Sequence, residues 1–480
     1  KYTIGMNTTG IDMTNVLVED NDCNGFKAYM IDSATIIRNM TVRNSGDASA
    51  ASSNDQAGVF IRSANWAPHI QDLHVTGSAG HGIMLSKSSL TGHNWTSDNN
   101  SEFGLYVRES HPLVYNTSLS NNGRNGLRVY DSSNVELFDL SSENNGLSAT
   151  IPDDGYGLFF KKSNDLMAAS KNVSCTRCSS TNDSWGGVRV IDSVDLQFHD
   201  LIVSNPGNSG YAVDVDNTGM IFNGLIDFHG IHVAGDRVGP IVQLIETEAR
   251  ISNITFSGTN NGMAWDGSGA SLTSSLDYAM LTGNNCVEFT DLHLVIGNRV
   301  DFTGCTGQIN LRDSTLNMTN SMLGPLGSSA TFDMTGQPSI LRWIDSGLMD
   351  PMAQNIGVGS VIDKMWTLDL WALNQNSHGL PYAVVNLSFS DLNSAEIHTM
   401  PYSGNAILGP YIYQRADSNG LGDWVNHSIG CEYDGQRTDF TDTVTEDGLW
   451  GSKVTNCVIT LTNQPPLIIW STPSDEDLFS

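Results

Sequence analysis

The sequence predicts an all-β chain, a right-handed coil of stacked parallel strands followed by a small antiparallel β-sandwich. A short phrase recurs every 22–31 residues in the first part of the chain, and longer alternating stretches follow after about residue 345. Self-similarity at this period indicates stacked units, each too small to bury its own apolar face. Each phrase reads glycine, apolar, variable, apolar, which is the period of a strand. The six glycines are Gly58, Gly82, Gly104, Gly126, Gly157 and Gly187.

Polar tracts rich in Asn follow the phrases and keep the same period. The pairs Asn99-Asn100, Asn121-Asn122 and Asn144-Asn145 lie one unit apart, so their amides are expected to stack and to hydrogen-bond along the stack. Parallel connections within one sheet are overwhelmingly right-handed. Residues 20–345 therefore resemble a right-handed parallel β-helix, the fold of pectate lyases, polygalacturonases, alginate epimerases, phage tailspikes and many prokaryotic surface proteins. We expect this domain to occupy residues 1–350.

A separate β-sandwich is predicted for residues 361–462, because the alternating stretches there are separated by turn residues. This part resembles carboxypeptidase-regulatory-like and immunoglobulin-like modules, at the strand entry 381–385, the turn 417–420 and the closing stretch 459–462. Residues 463–480 are expected to be a linker and the start of a further β module, which suggests a piece of a longer protein.

The charge of the chain limits its partners. Asp and Glu number 52 against 23 Lys and Arg, a net charge of −29. Nucleic-acid binding requires a basic footprint, so it is not expected. No apolar run approaches the length of about 18 residues that a membrane span needs. The N-terminal residues 1–4 lead straight into repeat-like sequence, so any export signal or anchor is expected outside this chain.

The seven cysteines suggest three disulfides. Cys286 and Cys305 are about one coil apart, Cys431 and Cys457 share the predicted sandwich, and Cys175 and Cys178 close a short loop. Half of a zinc site is the alternative for Cys175 and Cys178. Cys23 is left without a partner within the chain. Three disulfides favour an extracellular setting, either cell-surface or secreted.

Eleven Asn-x-Ser/Thr sequons permit glycosylation in such a setting. Those at coil turns, such as Asn99 and Asn182, are better candidates than Asn253 or Asn386, which lie in strand-like stretches. The sequons begin at Asn7, Asn39, Asn94, Asn99, Asn116, Asn172, Asn182, Asn253, Asn317, Asn386 and Asn426.

The outward positions of the repeated strand form a stripe of aromatic and basic residues, because side chains alternate along a strand. One interpretation is that these large side chains only shield the sheet. The other is a binding face, on which aromatic rings stack against sugars and arginines pair with carboxylates or an acidic protein. The stripe comprises Phe60, Arg62, Tyr106, Arg108, Arg128, Tyr130, Phe159, Lys161 and Arg189.

No catalytic residue set of a known β-helix enzyme is complete. Gly80-His81-Gly82 and Asp153-Asp154 occur in the order opposite to that of polygalacturonase-like enzymes and about three coils apart, and His81 is expected to be exposed. The Asp-Pro-His motif of alginate-epimerase-like enzymes is missing. The best lyase-like arrangement is Asp214 and Asp216 as a calcium site beside Arg189, although outward acids are usually just solvated.

Two hypotheses for function remain. The first is an extracellular structural or adhesive rod that needs no cofactor and binds surface glycans, other surface proteins or copies of itself, as in a surface array or filament. The alternative is a polysaccharide-active lyase or hydrolase that acts on acidic glycans, with calcium as its possible cofactor.

Overall fold

The computed structural model confirms the all-β prediction. It describes residues 2–4, 10–46, 57–64, 68–162, 172–207, 210–218, 225–235, 240–257, 262–267, 273–283, 286–323, 330–347, 354–389, 394–422, 427–442 and 453–459. The chain divides into two compact units, residues 1–362 with 416–421, and residues 363–415 with 422–480. The first unit is a right-handed parallel β-helix. The predicted linker, 463–480, lies outside the described residues.

The repeated phrases form one parallel sheet, sheet A, with one strand per coil. Its strands are Tyr2–Ile4, Phe26–Tyr29, Val59–Arg62, Ile83–Ser86, Leu105–Arg108, Leu127–Tyr130, Tyr156–Lys161, Gly186–Ile191, Val213–Asp216, Val242–Ile245, Met263–Asp266, Val287–Thr290, Gln308–Arg312, Thr331–Met334 and Asn355–Ile356. The apolar residues on either side of each central position face the lumen. Val59 and Ile61, for example, belong to one continuous apolar core that fills the coil.

The rest of each coil forms a second parallel layer, sheet B. Its long strands bend in the middle at a residue with positive φ, such as Asn39 or Asn94, because Asn tolerates the left-handed region better than most residues. In the first unit its strands are Asp12–Asn21, Ile36–Ser45, His69–Thr76, Thr91–Asp98, Leu113–Ser120, Glu136–Glu143, Val173–Thr176, Ser179–Thr181, Leu196–Ser204, Leu225–Ala234, Glu248–Ser257, Thr273–Asp277, Met280–Gly283, Leu294–Asn298, Asp301–Cys305, Thr315–Thr319 and Ile340–Ile344.

The glycine that opens each phrase is required by the close approach of the next coil. A Cβ atom on Gly82 would lie 2.0 Å from the Ser97 hydroxyl and 2.8 Å from the carbonyl oxygen of Gly104. A Cβ atom on Gly104 would likewise lie 2.8 Å from the carbonyl oxygen of Gly126. The recurring glycine therefore reflects the coil spacing.

The predicted asparagine ladder is confirmed, and it lies inside the coil. The second residue of each pair is buried: Asn100 donates to Asn122 Oδ1 at 2.9 Å, and Asn122 donates to Asn145 Oδ1 at 2.8 Å. Asn145 in turn donates to Asp183 Oδ1 at 2.9 Å, so the ladder ends on a buried carboxylate. Burial raises the pKa of Asp183 to about 6, although hydrogen bonds from neighbours such as Ser180 lower it in part.

The second unit contains a four-stranded antiparallel sheet, sheet C, with strands in the order Ser394–Thr399, Val384–Phe389, His427–Tyr433 and Gln436–Asp442. A further pair, Val361–Asn374 and Lys453–Ile459, is parallel, whereas the sequence predicts antiparallel strands only. Both layers contribute to one apolar core, which includes Leu370, Val385 and Ile429. Of the remaining strands, Asn405–Asp417 belongs mostly to this unit and Gly420–Leu421 belongs to the first. The likeness to carboxypeptidase-regulatory-like modules stays a prediction.

All three predicted disulfides are present: Cys175–Cys178, Cys286–Cys305 and Cys431–Cys457. The zinc alternative for Cys175 and Cys178 is therefore wrong, because a disulfide leaves no thiolate to ligate the metal. Cys23 is a free, half-buried cysteine.

Candidate functional site

The outward stripe forms two aligned columns on the outer wall of sheet A. The central column runs in register from Phe60 through Met84, Tyr106, Arg128 and Phe159 to Arg189 and Asp214. The second column runs from Arg62 through Ser86, Arg108, Tyr130, Lys161 and Ile191 to Asp216. In the first coil, the apolar residues around Met30 predict that Met30 takes the central position, but Lys27 pairs with Phe60 there instead.

Several stripe residues are not exposed, which corrects the prediction that they face solvent. Phe60 and Met84 lie outside the lumen, but they pack with Ala57, Tyr29 and Tyr106 in a small external cluster and are fully buried. Phe159 is also fully buried. Adjacent strands are only about 4.8 Å apart, so large side chains in one column cover one another. This part of the stripe shields the sheet.

An insertion before Gly157 brings two acids onto this wall. A short 3-10 helix, Pro152–Asp154, lies within the coil that has the longest spacing between phrase glycines. Asp154 lies 3.1 Å from Arg128 Nη1 and 3.6 Å from Arg124 Nε. Asp153 lies 3.3 Å from Arg189 Nε and 3.6 Å from Lys161 Nζ. The two neighbouring acids thus pair with bases on different coils.

Asp214 completes the arrangement from the following coil. Its Oδ2 accepts hydrogen bonds from Arg189 Nη1 at 2.7 Å and from the Tyr156 hydroxyl at 2.8 Å, and Asp214 is almost fully buried. Burial, followed by the charge of Asp214, raises the pKa of Tyr156. The sequence suggested that outward acids such as Asp214 are simply solvated, which is wrong here because Arg189 and Tyr156 hold this carboxylate.

His81 is buried, which corrects the expectation of an exposed turn residue. Its ring stacks on Phe103 at 4.9 Å and meets Tyr106 edge-on, and its Nδ1 lies 2.9 Å from Glu102 Oε2. This contact is the main reason that the pKa of Glu102 is lowered, and Arg124 at 3.6 Å adds to it. In the described part of the chain, His81 Nε2 has no hydrogen-bond partner.

These contacts connect His81 to Asp154, although the sequence separates their motifs by about three coils. Glu102 contacts both His81 and Arg124, and Arg124 contacts Asp154. We name the set of paired ionisable residues on this wall the charged cluster. It comprises Glu102, Arg124, Arg128, Asp153, Asp154, Lys161, Arg189 and Asp214.

Arg128 is held by two aromatic rings as well as by a carboxylate. Its guanidinium carbon lies 4.8 Å from the ring centroids of both Phe103 and Phe159, so the cation sits between two aromatic rings while it pairs with Asp154. Cation–π contacts of this kind are strongest where water is excluded.

The other stripe residues lie outside the charged cluster. Arg108 contacts Glu109 at 3.3 Å, and Tyr130 is half-buried between Arg108 and Lys161 in the second column. Arg62 is half-buried near the start of that column.

Asp216 contacts a different residue from those that hold Asp214. Asp216 Oδ1 accepts hydrogen bonds from the backbone N–H and the hydroxyl of Thr218. Across the described ranges, no group of three or more His, Cys, Asp or Glu is placed to hold a metal ion. Calcium at Asp214 and Asp216 stays a prediction.

The sequons reflect the geometry of the coil. Seven sequon asparagines have positive φ at bends or corners of the coil: Asn39, Asn94, Asn99, Asn116, Asn172, Asn182 and Asn253. The residue two positions later tends to be an outward polar one, so Asn-x-Ser/Thr arises from the template itself. Asn317 and Asn386 are half-buried in strands, while Asn7 and Asn426 lie outside the described residues. Glycosylation stays a prediction.

The sequence interpretation did not place Glu102, Phe103, Arg124 or Tyr156 in a site. Glu102 and Arg124 stand two residues before a phrase glycine, and Phe103 and Tyr156 stand directly before one. These positions precede the alternating part of the phrase, so alternation does not tell where their side chains lie. The one usable signal was the long spacing before Gly157, because an insertion in a regular coil often carries functional side chains.

Comparison with known proteins supports the fold. Residues 2–165 and 57–224 match a family model described as a right-handed beta helix region. No curated protein matches the chain.

The solved structures that are similar to the chain include two phage tailspike proteins. One is the enzymatically active domain of tailspike protein 2 from bacteriophage CBA120, at 10% identity and a TM-score of 0.34, covering 94% of this chain and 72% of that one. The other is tailspike protein gp49 from Pseudomonas phage LKA1, at 9% identity and a TM-score of 0.30, covering 88% and 68%.

Among the described residues, no helical segment has the length and apolar character that crossing a membrane requires.

Proposed function

We propose that this protein is an extracellular structural or adhesive rod, on the cell surface or secreted, that binds glycans through the outer wall of sheet A. The observation that carries the proposal is the charged cluster, in which paired guanidinium and carboxylate groups from several coils lie beside Tyr106 and Tyr130. Protein sites that recognise small polar ligands combine apolar surface with a few fixed polar groups. Other surface proteins, or copies of this chain, are the remaining partners that we expect for the rod.

Three disulfides support an extracellular setting, because such bonds persist in oxidising compartments. The net charge of −29 is consistent with a protein that stays soluble at high salt.

The test is binding to a glycan array by the full chain, with Arg124→Gln as the site variant. Arg43→Gln is the matched control, because Arg43 is a similarly exposed arginine (52% against 41% for Arg124) that pairs with Glu19 on sheet B. We expect Arg124→Gln to lose the binding signal and Arg43→Gln to keep it. Equal binding by wild type and both variants would show that the wall is not the contact surface.

One contact favours a second candidate, a polysaccharide-active enzyme. Asp153 and Asp214 contact two nitrogens of the same Arg189 guanidinium, at 3.3 and 2.7 Å. Their oxygens therefore lie within about 8 Å of each other, a separation that paired carboxylates of glycosidases also have. Both carboxylates, however, are paired with one guanidinium, whereas a hydrolase needs one of its two carboxyl groups as a proton donor.

The enzyme candidate predicts release of new reducing or unsaturated sugar ends from polysaccharides, abolished by Asp153→Asn. Wild-type protein that releases no product from a broad panel would contradict it.

A further inference from the structure

We infer that the ligand of the charged cluster is an uncharged, hydroxyl-rich glycan and not an acidic polysaccharide. This inference rests on the proposed glycan binding and names its substrate class. It replaces the expectation that the arginines of the stripe pair with ligand carboxylates.

The charges of the cluster cancel. Its four acids are Glu102, Asp153, Asp154 and Asp214, and its four bases are Arg124, Arg128, Lys161 and Arg189. Each base lies within 4 Å of at least one of these carboxylates. A ligand carboxylate would meet bases whose charge is already balanced by protein carboxylates, so its own charge would be in excess on a partly buried wall.

Hydroxyl groups fit the cluster better. A sugar hydroxyl donates one hydrogen bond and accepts others, so one hydroxyl can donate to a carboxylate and accept from the adjacent guanidinium. Hydrogen bonds to charged groups are roughly twice as strong as those between neutral groups. Neither partner of the ion pair has to be displaced.

The cluster separates into accessible groups and buried supports. The side chains of Arg124, Glu102, Asp153 and Lys161 are 41, 24, 29 and 29% exposed, so a ligand can reach them. Asp154 and Asp214 are only 8 and 3% exposed, and they hold the bases in place from below. Polar groups fixed in advance lose little entropy when a ligand binds.

The unpaired nitrogen of His81 is a second, independent observation at the same place. A buried polar atom without a partner costs free energy, and native structures contain few of them. His81 Nε2 is such an atom, and the same ring contacts Glu102, one of the accessible groups. A water molecule or a ligand hydroxyl beside this ring would supply the missing hydrogen bond.

The charge of the whole protein favours the same ligand class. At a net charge of −29 the chain repels polyanions at long range, whereas a neutral glycan approaches without that cost. The electroneutral cluster creates no positive patch that would offset this repulsion.

The experiment compares neutral polymers (dextran, mannan and galactomannan) with polygalacturonate and alginate, and adds a glycan array of both classes. Binding by the full chain is measured at low and high NaCl. We expect binding to at least one neutral glycan, with a Kd that changes less than about threefold between roughly 50 and 500 mM salt, because no net charge is neutralised. Arg124→Gln and Asp153→Asn should each weaken binding about tenfold or more. Both side chains are partly exposed, so the variants should fold, which thermal melts will verify.

The outcomes separate the inference from the proposed function. Binding to polyuronates alone, lost steeply with salt, would overturn the neutral-ligand inference and leave glycan binding intact. Neutral-glycan binding that survives both variants would overturn the assignment to the charged cluster. No binding to any glycan on the array would overturn the proposed function itself.

Discussion

Replacing Asp183 with Asn should stabilise the β-helix at neutral pH. Asp183 is almost fully buried at the end of the asparagine ladder, and in the described chain only neutral donors contact it: the backbone and side-chain nitrogens of Asn145 and the hydroxyls of Ser142 and Ser180. An amide oxygen at this position can accept the same bonds from Asn145. The Ser180 hydroxyl can accept a bond from the new NH₂ group.

The magnitude follows from the pKa of Asp183, which burial raises from 3.8 to about 6. A shift of one pKa unit corresponds to about 1.4 kcal/mol, so the buried charge costs about 3 kcal/mol above pH 7. Because the folded-state pKa is the higher one, Asp183 contributes its full stability below pH 3.8. That contribution is lost as the pH rises through about 6. The Asn variant lacks this dependence, so its advantage should be large at pH 7.5 and close to zero near pH 4.

Urea denaturation of wild type and Asp183→Asn at pH 4, 6 and 7.5 measures the effect. Asp139→Asn is the control with the opposite sign, because Asp139 is exposed and its hydrogen bond with Arg177 lowers its pKa. That variant should lose a little stability at neutral pH. An Asp183→Asn variant that is less stable than wild type at pH 7.5, or whose advantage is the same at pH 4, would refute this reasoning.

Three further predictions concern the ladder, the wall and the core. Asn122→Ala should lower the free energy of unfolding by about 2–4 kcal/mol, because it leaves buried groups of the ladder unpaired; a loss below about 1 kcal/mol in urea denaturation would contradict a stabilising ladder. Arg128→Met should cost about 3 kcal/mol by leaving Asp154 with fewer charge partners, and Asp154→Asn should recover part of this loss in a double-mutant cycle. Additive losses would show that the two residues do not interact. Converting both Cys286 and Cys305 to Ser should lower the free energy of unfolding by about 3 kcal/mol. A reductant should then destabilise wild type more than it destabilises the variant. An equal loss of stability in both would argue against this disulfide.

Much of the fold could be predicted because the repeat encodes contacts between equivalent positions. Phe60, Met84 and Tyr106 occupy the same place in successive phrases, and the structure aligns them. The asparagine pairs and the Cys286–Cys305 disulfide followed from the same reasoning. At the first coil Lys27 takes the place expected for Met30, although Gly25 stands directly before Phe26 just as Gly58 stands before Val59, so the sequence does contain the correct register there.

The burial of the outward residues could not be predicted in the same way. Alternation along a strand tells which side chains leave the lumen, but not what covers them. Phe60 and Phe159 point outward and are nevertheless buried, because other side chains on the outer wall pack over them. The sequence likewise predicts His81 to be an exposed turn residue, whereas Phe103 and Glu102 from the next coil enclose it.

The sequence alone determined the coil, most of its register, the internal ladder and the Cys286–Cys305 pair, because each depends on residues that recur at about one period. Only the tertiary structure decided that Asp153 and Asp154 from an insertion meet Arg189 and Arg128 from other coils. The physical reason is that these residues are not equivalent positions of the repeat. Their pairing depends on the position of the inserted turn on the wall, and the periodic pattern of the sequence does not specify that position.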